Sequence, residues 1–165
     1  MGFSIASFGL DLYLLSKGRA RFGMKARIFA DYLKITLKYL ILVKLLRMKL
    51  EGENFLNFHM EVPDYAVFYD LFKEIFIKNE YCFESGNKAP HVIDCGANIG
   101  MAVLYVKHRY PGASIVAFEP GKEAFSYLER NCKINGLRKI TLNNVALGGK
   151  DGKISFYSVA SGHGG

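Results

Sequence analysis

Residues 91–100 read His-Val-Ile-Asp-Cys-Gly-Ala-Asn-Ile-Gly, an apolar strand that ends in an acid, passes through glycine and enters a helix. A chain that turns so abruptly needs glycine backbone at the bend, and it leaves main chain open there to a ligand. The alternation then repeats. A helix is predicted over residues 98–109, stopped by Tyr110, Pro111 and Gly112, and a second apolar strand over residues 115–118. A helix over residues 123–135 carries Ala124, Phe125, Leu128 and Cys132 on one face and Gly136 as its stop. Residues 140–145 read as a third strand, and the turn at residues 148–152 leads to a fourth at residues 153–159. Strand, helix, strand, helix, strand at this spacing requires right-handed crossovers and a parallel sheet, so the fold class is α/β. Val92, Ile93 and Cys95 are expected to be buried in that sheet.

Upstream the period is helical. Residues 25–49 form one long amphipathic pattern in which Arg27, Asp31, Lys34 and Lys38 share a narrow stripe, and Ile28, Phe29, Tyr32, Leu33 and Leu40 an apolar face. From Tyr39 onward the helix is apolar nearly all round, but its uncharged runs are far too short to span a bilayer. It is therefore expected to pack on the domain or a partner, with contact to an anionic membrane surface as the alternative. A strand is predicted over residues 54–62, and Pro63-Asp64 begins a helix to about residue 77 with Val67, Phe68, Leu71, Phe72 and Ile75 on one face. Ser-Gly-Asn-Lys-Ala-Pro at residues 85–90 marks the boundary before the parallel unit. The expected organisation is a basic helical arm at 1–50, a strand-and-helix lead-in at 51–90, and a ligand-binding unit at 91–165.

Charge sharpens this division. Residues 1–50 hold 10 Lys and Arg against 2 acids, or +8, whereas residues 51–165 hold 12 against 13, or −1. The segment with organised motifs is neutral, which argues against nucleic acid as a partner. The three cysteines, Cys82, Cys95 and Cys132, form no CxxC and have no histidine at zinc spacing, so no metal site is expected and they read as reduced, buried thiols of a cytoplasmic protein. His59, His91, His108 and His163 fall on separate elements and suggest neither a catalytic base nor a metal set. Tyr81, Phe83 and Phe55, Phe58, Phe68, Phe72 and Phe76 read as core. The start of the chain lacks a signal-peptide pattern, and Ala6 replaces the Ser or Thr of a myristoylation signal.

The bend restricts the ligand. A helix N-terminus offers N–H groups to an anionic group, and Glu119, 25 positions after Asp94, ends the neighbouring strand where an acid suits ribose hydroxyls. Both features describe a nucleoside-bearing cofactor. The dinucleotide fingerprint wants glycine where Asn98 and Met101 stand, which disfavours a dinucleotide or nucleotide-sugar ligand, and no Walker sequence occurs. Asp94 as a turn cap, with Gly96 and Gly100 serving only close helix packing, is the plain structural alternative.

The spacing Asp-x-Gly-x-x-x-Gly resembles the opening motif of the FkbM family of S-adenosylmethionine-dependent methyltransferases, and Phe118-Glu119-Pro120 resembles its second motif. The resemblance continues through Asn131, Asn135 and Gly136, and through Asn144-Val145-Ala146-Leu147-Gly148, over roughly residues 64–159. It implies a partial Rossmann-like parallel sheet with crossover helices, preceded by the N-terminal helical arm, and S-adenosylmethionine as cofactor. Gly96, Ala97 and Asn98 would line its methionyl part, Asp94 would support the loop with Gly100 closing it, Glu119 and Pro120 would meet the ribose, and Val145 and Ala146 would lie near adenine. The implied reaction is methyl transfer to a hydroxyl of a sugar, glycan or secondary metabolite, and no catalytic residue is assigned. The family's later Asp-x-Glu-Gly segment is absent, so a truncated chain is expected, with acceptor groups largely missing and the open sheet edge covered by a partner or oligomer. An inactive fragment, or a membrane-surface or partner-binding module acting through residues 25–49, is the alternative reading.

Overall fold

The computed structural model describes residues 9, 11, 13, 22–150 and 152. The expected fourth strand at 153–159, together with His163, Lys17, Arg19 and Arg21, lies outside the described residues. Helix α1 spans Phe22–Lys38 and continues as a π-helical turn, Tyr39–Leu45. Strands β1 (Gly52–Phe55) and β2 (Phe58–Glu61) pair antiparallel, and helix α2 (Tyr65–Phe72) runs into a second π-helical turn, Lys73–Ile77. Then come β3 (His91–Cys95), α3 (Met101–Arg109), β4 (Ser114–Phe118), α4 (Lys122–Ile134) and β5 (Ile140–Asn143). The last three strands form a parallel sheet in the order β3-β4-β5. The α/β alternation is thus as the sequence predicts.

Local differences have physical causes. The strand expected over 54–62 is a hairpin, because Leu56 turns the chain in a left-handed conformation, φ 52°. Asp64 caps α2 by accepting the Ala66 N–H at 2.7 Å, which realises the Pro-Asp start. Ile93 and Cys95 are not buried: alternate residues of β3 point away from the helices, and Ile93 is 69% exposed. Cys82 is also exposed, so only Cys132 matches the expected buried thiol, and all three cysteines are free. Tyr81 is exposed, while Phe83 is half-buried and stacks on Tyr110.

Helix α1 is a packed element. Ile28, Tyr32, Ile35 and Tyr39 form its buried stripe, with Tyr39 stacked on Tyr69 at 4.5 Å between ring centroids. Phe29, expected on that stripe, lies beside it and is exposed. The charged stripe also faces protein: Lys34 and Lys38 pair with Glu53 at 3.4 and 2.8 Å, and Arg27 donates to the side chain of Asn57. Glu53 is almost wholly buried. Burial opposes its ionisation, but hydrogen bonds from Lys38 and Tyr65 and the charges of Lys38 and Lys34 outweigh that and hold its carboxyl below the usual value.

The parallel unit is joined to this base through two elements. Residues Met101 to Lys107 of α3 are all buried, since Met101, Ala102, Leu104 and Tyr105 enter the core of α1, α2 and the hairpin, and Val103 and Val106 the layer beneath the sheet. Asn131 on α4 and Asn135 at its C-terminal cap stand four apart and act as a surrogate strand along β2. Asn131 accepts the Glu61 N–H at 2.8 Å and donates to the Glu61 carbonyl at 3.0 Å, and Asn135 does the same at His59 with 2.9 and 2.7 Å. Asn131 also donates to the Ile99 carbonyl at 2.9 Å, so the hairpin is tied to the glycine bend.

Replacing Asn131 with Ala leaves the Glu61 N–H and two carbonyls without a buried partner, and should lower stability by about 2–4 kcal/mol, read as a reduced urea midpoint at unchanged slope. Glu53→Gln should remove a stabilising contribution present above the ordinary carboxylate range and lost on acidification. The wild type and variant should therefore differ in midpoint at neutral pH and converge in acid.

Candidate functional site

The parallel register brings the C-terminal ends of β3, β4 and β5 to one rim. Asp94 lies opposite Ala117 and Cys95 opposite Phe118, and Phe118 in turn opposite Asn143. Glu119 follows at the end of the central strand, so it sits between the two outer strand ends. Its own N–H donates to the Asn143 carbonyl at 3.0 Å, and its carbonyl accepts from the Asn144 side chain at 2.8 Å.

The glycine bend closes onto the same point. The Gly96 and Ala97 N–H groups donate to the Phe118 carbonyl at 2.8 and 2.9 Å. The Asn98 N–H donates to Glu119 Oε2 at 2.8 Å, and the Gly121 N–H to Oε1 at 2.7 Å. The carboxylate expected to face ribose thus also braces the loop, and it is only 7% exposed. It takes an amide of the bend that sequence reasoning assigned to an anionic ligand group. The expectation of an anion at this bend therefore weakens. A carboxylate has about four acceptor sites, two of which these amides use, so capacity for hydroxyl donors remains.

The two glycines have different work. Gly96 has φ 102°, and a Cβ added there would meet nothing within 4 Å, so its backbone is open to approach. Gly100 has φ 97° and is buried, and an added Cβ would lie 3.0 Å from Leu128 Cδ1. Gly100 therefore serves close packing of the start of α3 on α4, as the plain structural reading held. Ala97 is buried beneath the bend, whereas Asn98 is exposed and left-handed, φ 49°. Val145, 52% exposed, and Ala146 follow Asn144 out of the rim, and Pro120 is half-buried beside it.

Asp94 is the anomaly of the site. Its Oδ2 is buried without a hydrogen-bond partner. Burial, with the Glu119 carboxylate nearby, pushes its carboxyl up to about 6. Among the described residues, the ion pairs of the chain include neither Asp94 nor Glu119. The rim is therefore an acidic edge with an orphaned acceptor beside open glycine backbone. That donor and acceptor set fits a ligand carrying cationic and hydroxyl groups, which adenosyl sulfonium amino acids have, and it repels phosphate. No group of three or more His, Cys, Asp or Glu placed to hold a metal occurs among the described residues.

Sequence reasoning missed Gly121, whose N–H completes the hold on Glu119; a glycine two positions after a strand-end acid is the available signal. It also gave Asn144 no role, although its side chain bridges the Glu119 and Pro120 carbonyls at 2.8 and 3.3 Å. A wide groove elsewhere, lined by Asp31, Lys34, His59 and Asn135, contains none of the strand-end residues.

Residues 94–165 match the methyltransferase FkbM domain. "Methyltransferase 1" of Beauveria bassiana (strain ARSEF 2860) is 34% identical over 95 residues, 56% of this chain and 38% of that protein. "Methyltransferase sdnD" of Sordaria araneosa is 42% identical over 67 residues, 39% of this chain and 25% of that protein. The "31-O-demethyl-FK506 methyltransferase FkbM" of Streptomyces tacrolimicus is 38% identical over 63 residues, 37% of this chain and 24% of that protein. The chain spans well under half the length of each of these curated relatives. Residues 94–165, somewhat less than half of the chain, are thus similar to the methyltransferase FkbM domain.

Proposed function

We propose that this chain carries the donor site of an S-adenosylmethionine-dependent methyltransferase that methylates a hydroxyl oxygen of a small molecule, a sugar, glycan or secondary metabolite. The observation that carries this reading is the pair Asp94 and Glu119: two carboxylates at one sheet rim, one with a buried unpartnered oxygen, and no cation from the described protein between them. Two carboxylates with no described cation paired to them disfavour a phosphate ligand and favour a cation. The Streptomyces relative, a 31-O-demethyl-FK506 methyltransferase, supports oxygen as the acceptor atom.

In this reading the Asp94 carboxylate would draw the ammonium end of the cofactor by its charge, and Gly96 would admit the methionyl part against bare backbone, with Ala97 as the floor and Asn98 at the exposed side. The remaining acceptor sites of Glu119 take the ribose hydroxyls. Val145 and Ala146, beside Pro120, provide the apolar wall for the adenine. When bound, the cofactor supplies an electrophilic methyl on sulfonium, which an acceptor oxygen takes as it releases a proton. The contribution of the chain is orientation: the bend and the entry to α4 are held by the hydrogen bonds that the Asn98 and Gly121 amides donate to Glu119, and holding reactants in line is worth several kcal/mol.

Calorimetric titration with S-adenosylmethionine tests the site. Binding should tighten as pH rises through about 6, where Asp94 ionises, and Asp94→Asn should weaken affinity about tenfold or more at neutral pH and abolish that pH dependence. The same substitution should have the opposite effect on the folded chain. The native value for Asp94 is raised from 3.8 to about 6, so the native state holds more protons than the unfolded one across that window, and stability falls as pH rises through it. Asp94→Asn should therefore raise the thermal midpoint above pH 6 while weakening the ligand. Glu119→Ala should weaken the cofactor by about 2–3 kcal/mol and also loosen the bend, seen as faster amide exchange at Asn98 and Gly121. Wild-type affinity in both variants would remove the proposal.

A further inference from the structure

Helix α1 has a second apolar face, turned away from the core. Leu37, Ile41 and Leu45 are exposed along the helix, Leu45 to 73%, as are Leu46 and Met48 just past its end. Leu37, Ile41 and Leu45 recur every four residues, and the π-helical turn Tyr39–Leu45 keeps them in line through its wider winding. Scattered surface leucines need no explanation, but a continuous aliphatic row at one end of one helix does.

Within the segment itself the charge is of one sign, with Glu51 and Asp64 as its nearest acids. Residues 39–50 contain Lys44, Arg47 and Lys49 and no acid. All three are exposed, with Lys44 lying over the Tyr39 ring at 5.3 Å and Lys49 weakly paired with exposed Glu51 at 3.7 Å. By contrast, the earlier cations of the helix are engaged within the fold, since Lys34 and Lys38 meet Asp31 and Glu53 and Arg27 meets Asn57. Among residues 27–49, the cations left for an external partner lie beside the aliphatic row. An aliphatic stripe rimmed by cations, with neither aromatic anchors nor acceptors along it, complements a lipid surface better than a protein groove. No described helix is long and apolar enough to cross a membrane, so the contact lies along the surface.

We propose that the outer face of residues 37–49 docks on an anionic lipid surface, with Leu37, Ile41, Leu45, Leu46 and Met48 at the acyl boundary and Lys44, Arg47 and Lys49 against lipid phosphates and carboxylates. This stands apart from the methyl-transfer reading, because none of these residues belongs to the strand-end rim.

Co-sedimentation of the full chain with vesicles of phosphatidylcholine, or of phosphatidylcholine with an equal part of phosphatidylserine, tests it. The chain should sediment with the phosphatidylserine vesicles only, and rising salt should release it. Replacing Lys44, Arg47 and Lys49 with Gln should reduce partitioning by about a hundredfold, at roughly fivefold for each basic residue. Leu37→Ser with Ile41→Ser and Leu45→Ser should release the chain even at low salt, with circular dichroism unchanged because these side chains are exposed. Absence of sedimentation by the folded wild type, equal sedimentation with both vesicles, or salt-insensitive binding would each overturn the proposal without any variant. Concentration-dependent dimers that the serine variant abolishes would overturn it in favour of a second copy of the chain. Neither result bears on cofactor affinity.

Discussion

The carboxylate of Glu119 is the junction on which the rim depends. Through its two oxygens it holds the amides of Asn98 and Gly121, and through its own backbone it reaches Asn143 and Asn144. One residue at the end of the central strand thus fixes the glycine bend, the entry to α4 and the exit of β5. A charge-assisted bond to a backbone amide is roughly twice as strong as a neutral one, and two of them in a nearly buried position leave the bend little freedom. The consequence for chemistry is that the loop is preorganised while the neighbouring acid, Asp94, stays without a partner.

That asymmetry gives the site its character. Two acids share one rim, but Glu119 is satisfied by the protein and Asp94 is not. An orphaned acceptor costs stability in the isolated chain, and it is recovered when a donor arrives. The opposed effects of Asp94 on folding and on binding follow from this one geometry.

Rigidity at the rim is borrowed from the base of the molecule. Helix α3 is buried on every side because it belongs to two apolar layers, and its first turn carries the bend. Asn131 ties that bend to β2, while the charged face of α1 clamps the hairpin through Glu53. The arm, expected to pack on the domain or a partner with a membrane surface as the alternative, packs on the hairpin and α2 with one side and leaves an aliphatic side outward.

What the sequence by itself determined is periodicity and local chemistry. The change from helical to strand-helix alternation, the Asp94 to Gly100 bend and the strand-end position of Glu119 follow from spacing, because a parallel sheet with short crossovers aligns successive strand ends. Register and neighbours were beyond it. That Ile93 faces outward, that Gly100 packs on Leu128, that the amide of Asn98 belongs to Glu119, and that Lys34 and Lys38 converge on a buried carboxylate are all decided by contacts between residues distant in the chain. Such contacts depend on how elements dock in three dimensions, and one chain's pattern of apolar and charged residues constrains which faces are buried far better than it constrains what they meet.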